Sequence, residues 1–102
     1  MSAAEQLMLS APAPGVLAMS GALVFATAAR ALADARPAVA RGDVATLDLS
    51  AVTAGDSAGL AVVLALRRAA RSRGGELAIV GMPATLRALA QLGEVEELLG
   101  IR

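Results

Sequence analysis

Apolar positions along the chain recur with either a two-residue or a three-to-four-residue period, and each change of period marks a new element. Gln6 to Ser10 is a short apolar run that reads as a strand. Ala11-Pro12-Ala13-Pro14-Gly15 follows as a turn, since proline fixes φ and Gly15 accepts any local twist. Val16 to Ser20 reads as a second strand ending at Ser20-Gly21, so the two predict an antiparallel hairpin. From about Leu23 the spacing turns helical, through Val24, Thr27, Ala28, Ala31 and Leu32. Pro37 should end or kink this helix, and Arg41-Gly42-Asp43 closes the connection.

Val44 to Ser50, VATLDLS, is the strongest strand pattern in the chain. It is expected to run into an irregular loop, Ala51 to Gly55. A long helix should start at Asp56 or Ser57 and reach about Arg73, burying Leu60, Val63, Leu64 and Leu66. Gly74-Gly75 stops it. Glu76 to Val80 reads as a strand with Leu77 and Ile79 inward, and Pro83 opens a helix to about Leu92. Gly93 breaks that helix, and Glu94 to Leu99 reads as a short terminal one with acids in its first turn. The order β-β-α-β-α-β-α-α predicts one α/β domain over residues 1–102, a four-stranded mixed sheet with helices packed on it.

Charge sharpens one stretch of this pattern. Gln6 to Ala29 carries no charged residue, a length that a membrane span would need. Ser10, Pro12, Pro14, Gly15, Ser20 and Gly21 break it into short pieces, which favours the hairpin.

Composition narrows the chemistry. The chain has no His, Cys, Trp, Tyr or Lys and a single Phe. General acid–base work, thiol chemistry and most transition-metal sites lean on His or Cys, so no enzyme activity, cofactor or metal is expected. The nine acids are scattered, without the spacing of a calcium loop. Formal net charge is zero, which argues against a nucleic acid partner. Arg67, Arg68, Arg71 and Arg73 fall in the predicted last turns of the long helix, where cations suit its dipole. The absence of Cys agrees with a reducing compartment.

The strand–loop–helix from Val44 to Arg73 holds the candidate site. Ligands and partners of open α/β sheets gather at the carboxyl ends of strands, and Asp48, Thr53, Asp56 and Ser57 are expected there. The loop has one Gly and no Lys, so it lacks what a nucleotide phosphate cradle needs. Ser57 has no His or Lys to activate it as a nucleophile. Two readings of Ser57 remain: a helix cap or first-turn residue, or a phospho-acceptor or partner-contact hydroxyl. Asp56 reads as a cap, and Asp48 as a carboxylate satisfying nearby amides. Gly59 permits close approach to the helix, by the core or by a partner. Ala58, Ala61 and Ala65 are either a flat exposed stripe beside Ser57 or simply good helix formers.

The segment LDLSAVTAGDSAGLAVVL, Leu47 to Leu64, resembles the signature of STAS domains, the fold of anti-sigma factor antagonists. LAMSGAL (Leu17 to Leu23), RGGELAIVG and PATLRALAQLG resemble the rest of that family, and the short ends are similar to its MlaB-like branch. That branch comprises small non-catalytic subunits of bacterial phospholipid-transport ABC complexes. The resemblance implies a cytoplasmic accessory protein, peripheral to the inner membrane, that binds the ABC transporter ATPase subunit (MlaF-like) and through it the permease. It also implies that Ser57 occupies the family's key hydroxyl position, with Thr53, Asp56, Ala58, Gly59 and Ala61 around it. In sigma-regulating members the same hydroxyl is phosphorylated by an anti-sigma factor serine kinase, so the resemblance leaves that role as the alternative. The family's acidic residues after the second-strand glycine are missing from Gly21-Ala22-Leu23-Val24, which removes any contact they would make.

Overall fold

The computed structural model of the chain describes residues 6–92. Two strands, β1 (Leu7–Ala13) and β2 (Val16–Leu23), form an antiparallel hairpin. Helix α1 (Phe25–Arg41) crosses to β3 (Thr46–Gly55), and α2 (Ser57–Ser72) crosses to β4 (Ala78–Val80). Helix α3 (Ala84–Leu92) follows. The sheet order is β1-β2-β3-β4, with β2, β3 and β4 parallel. The expected mixed four-stranded sheet is therefore present. The terminal helix expected over Glu94 to Leu99 lies outside the described residues.

Burial alternates along the strands. Leu7, Met19, Leu47 and Leu49 are buried, while Met8, Ser10, Ala18, Ser20, Thr46 and Asp48 are exposed or half-buried. One face thus packs on the helices and the other stays open, the division expected of a sheet with a single covered face. From the helices, Thr27, Ala31, Ala35 and Val39 of α1 and Leu60, Val62, Val63 and Leu66 of α2 close the core. α1 and α2 pack against each other on this face. The charge-free stretch from Gln6 to Ala29 is used up by the hairpin and the start of α1. No helix among the described residues is long and apolar enough to cross a membrane.

β2 runs past Ser20-Gly21 to Leu23, and Leu64 is half-buried rather than buried. Four further expectations need correction. First, β1 continues through Ala11, Pro12 and Ala13, and only Pro14-Gly15 turns. An edge strand tolerates Pro12 because one side of its backbone has no partner strand. Second, Pro37 lies inside α1, which runs on to Arg41. Val39 is fully buried beyond it, and Gly42 closes the helix in the left-handed region (φ 86°). The Gly42 and Asp43 N–H groups donate to Val39 and Ala38 oxygens, so the last turn is held despite the missing proline N–H. Third, β4 is shorter than its apolar pattern, beginning at Ala78, although Leu77 is buried as expected. Fourth, Ala51 to Gly55 is not a loop; it is the second half of β3.

The length of β3 shapes the site. Between Ala18 and Ser20 of β2 the parallel partner advances from Asp48 to Ala51, and between Gly21 and Ala22 from Val52 to Ala54. At each step β3 carries one extra residue. Such bulges bend a strand and re-aim its side chains. Paired to β2 right up to Gly55, β3 delivers Asp56 directly to the end of the sheet.

Candidate functional site

Asp56 caps α2. Its carboxylate accepts a hydrogen bond from the Gly59 N–H, 3.0 Å away, the contact made by an ideal N-cap. Its second oxygen accepts from the Phe25 N–H, also at 3.0 Å. Phe25 is the first residue of α1. The residue before it, Val24, has no side-chain oxygen, so α1 cannot cap itself in the usual way. Thr27 helps from inside: its buried hydroxyl accepts from the Val24 N–H at 3.1 Å and donates to the Ala22 oxygen at 2.7 Å. One carboxylate therefore ties two helix N-termini together.

The electrostatics follow from this geometry. Partial burial pushes the Asp56 carboxyl up, but the N–H groups of Gly59, Phe25, Ala58 and Asp56 itself together outweigh it. The net shift is below the usual carboxylate range, so Asp56 is a carboxylate at neutral pH. Two helix dipoles also present their positive ends here. Asp48 is held low as well, by the Ser50 hydroxyl at 2.5 Å and then by the Ser50 N–H at 2.9 Å, against slight desolvation. Asp48 and Thr53 lie within the strand, not at or beyond its carboxyl end as expected, because β3 extends to Gly55. The donors to Asp48 come from its own bulge, which accounts for it without a ligand.

Ser57 is exposed and is the first residue of α2, one step past the cap. Of its structural readings, the first-turn one is correct and the cap is Asp56. Thr53 is exposed, Ala58 half-buried and Ala61 exposed. Gly59 is buried, and a Cβ there would sit 2.0 Å from the Leu23 carbonyl oxygen. The close approach that glycine permits is thus made by the core, at the end of β2.

The alanines do not form a flat stripe. Ala58, Ala61 and Ala65 make one wall of a groove of about 650 Å³ whose other wall is Phe25, Ala28, Ala29 and Leu32 of α1. Phe25, the sole aromatic of the chain, is 83% exposed at the head of this groove. It was missed in the sequence because the helical spacing marks only the positions that face the core, and Phe25 is off that stripe. Its signal was its rarity together with that off-stripe position. Among the described residues no group of three Asp or Glu side chains is placed to hold a metal ion.

The family model described as "Mlab, STAS domain" matches residues 9–100. The structure is similar to that of an anti-sigma factor antagonist from Mycobacterium paratuberculosis, 26% identical over 96% of this chain and 86% of that one, TM-score 0.73. It is also similar to the Bacillus cell fate determinant SpoIIAA in its phosphorylated form, 20% identical over 93% and 86%, TM-score 0.68. A third likeness is to SLC26A9, 19% identical over 83% of this chain and only 17% of that one, TM-score 0.56. No protein with a curated description matches the chain. With a family model spanning residues 9–100 and the fold of SpoIIAA around a helix start at Asp56-Ser57, this chain belongs to the STAS domain family, in the group described as Mlab.

Proposed function

We propose that the protein is a non-catalytic accessory subunit that binds and supports the cytoplasmic ATPase of a bacterial phospholipid-transport ABC complex. The observation that carries this reading is the match to the Mlab model across residues 9–100. The docking surface is Thr53, Asp56, Ser57, Ala58 and Ala61, with Phe25 beside them and Gly59 setting the position of the helix start. It suits a protein partner, since an exposed aromatic and small side chains give apolar contact area around one hydroxyl and one carboxylate. Asp56 fixes the two helix ends before binding, so little order has to be gained on docking. The protein would be cytoplasmic and peripheral to the inner membrane through its complex.

Co-expression with the ATPase and permease of a bacterial phospholipid-transport ABC complex tests this. Recovery of a stoichiometric complex that Ser57→Glu dissolves is expected; stable monomers with no affinity for that ATPase would overturn the proposal.

A second reading is supported by the likeness to anti-sigma factor antagonists, one of them 26% identical. In it, Ser57 is phosphorylated by an anti-sigma factor serine kinase. A phosphate there would be drawn by two helix N-termini and repelled by the ionised Asp56, so it would alter the docking surface. Incubation with the cognate kinase and ATP would add one phosphate at Ser57, and an unchanged mass would remove this reading.

A further inference from the structure

The arginines of α2 take no part in the site at the other end of that helix. Arg67, Arg68 and Arg71 stand with Leu64 around a shallow depression of about 240 Å³. Residues 64, 67, 68 and 71 recur at three- and four-residue spacing, so they share one face of α2. The helix dipole accounts for only part of this. Arg71 is in the last turn, whereas Arg67 and Arg68 sit one turn earlier, where the terminal partial charge acts more weakly. Ion pairing does not account for it either. The pairs Arg30–Asp34 and Arg41–Asp43 lie off α2, and no described carboxylate pairs with Arg67, Arg68 or Arg71. The Arg67 Nε is buried without an acceptor among the described residues.

We propose that this face is a second docking surface, for an acidic helical segment of a protein partner. Guanidinium forks match carboxylates two bonds at a time, and Leu64 supplies an apolar floor for a side chain placed among the acids. The face runs from residue 64 to 71, about 10 Å along the helix, which is the footprint of two helical turns. A membrane surface or a nucleic acid asks for a broad positive field, and this chain has a formal net charge of zero. Arg67 lies roughly 15 Å along α2 from Ser57, so the two surfaces can be engaged separately.

The test uses the full chain and a fluorescent amphipathic peptide with Glu at i and i+4 and Leu between them. Anisotropy should show saturable binding that weakens at least tenfold in Arg67→Gln/Arg68→Gln/Arg71→Gln and weakens as salt is raised. Ser57→Glu should bind the peptide as the wild type does. The matching triple Arg→Lys variant, which keeps charge and loses the fork, should recover only part of the affinity. Circular dichroism confirms that each variant is folded. The proposal is overturned if the peptide does not bind, or binds the glutamine variant equally well. It is equally overturned if phosphatidylglycerol vesicles are captured through these arginines while the peptide is not. Binding that emerges only after Glu94, Glu96 and Glu97 are changed to Gln would assign the face to the chain's own acids and overturn it too.

Discussion

Removing the Asp56 carboxylate should loosen two helices at once. In Asp56→Ala the Gly59 N–H loses its cap, which costs about 1 kcal/mol for an N-cap aspartate. The Phe25 N–H loses its acceptor as well, and no side chain at Val24 can replace it. Asp56 is half-buried, so water recovers part of this second bond, leaving about 0.5–1.5 kcal/mol. Together the change should destabilise the domain by roughly 1.5–2.5 kcal/mol, a fall in Tm of roughly 6–20 °C for a chain of this size. Asp56→Asn separates the two contributions. Its single amide oxygen can serve Gly59 but leaves Phe25 without a full acceptor, so about half the loss is expected. Urea unfolding gives the totals, and amide hydrogen exchange gives the sites. Exchange should speed up at both Gly59 and Phe25 in the alanine variant, and chiefly at Phe25 in the asparagine variant. A loss below about 0.5 kcal/mol, or unchanged exchange at Phe25, would refute the idea that Asp56 joins α1 to α2.

Three further outcomes follow from the same geometry. Leu66→Ala should cost about 2–5 kcal/mol by urea unfolding, since Leu66 is fully buried, whereas the half-buried Leu64 should cost clearly less. Gly59→Ala should destabilise by about 1–3 kcal/mol, because its Cβ would collide with the Leu23 carbonyl and force α2 off the end of β2; a neutral result would show that the helix start is free to move. Stability should also depend on acid. Asp56 has its folded-state pKa lowered, so its contribution is complete above the ordinary aspartate value of about 3.9 and is lost as pH falls through the lower folded value. Wild type should therefore lose more stability than Asp56→Asn below about pH 4, and parallel curves would contradict the assignment.

Much of this site was legible in the chain. Asp56-Ser57 after a strand and before a helical run marked the start of α2, and the Leu47 to Leu64 segment carried the family resemblance. The residues that escaped did so for physical reasons. Ala51 to Gly55 has the composition of a loop, yet pairing of Ala51, Val52, Ala54 and Gly55 with β2 makes it strand. Pro37 disfavours a helix locally, and the burial of Val39 overrides it from outside the segment. The bond from Asp56 to Phe25 joins residues 31 apart, so no local pattern could have announced it. Ala58, Ala61 and Ala65 were visible as a helical row, but the groove they help to form depends on where α1 lies.

The central claim is that the helix start at Ser57 docks on an ABC transporter ATPase. The most direct test is the affinity of that ATPase subunit for the wild type and for Ser57→Glu, measured by calorimetry alongside the unfolding free energy of each protein. Ser57 is exposed, so the substitution should leave stability within about 0.5 kcal/mol. Affinity should nevertheless fall at least tenfold, which is about 1.4 kcal/mol of binding free energy. Equal affinity of the two folded proteins for the ATPase would contradict the account.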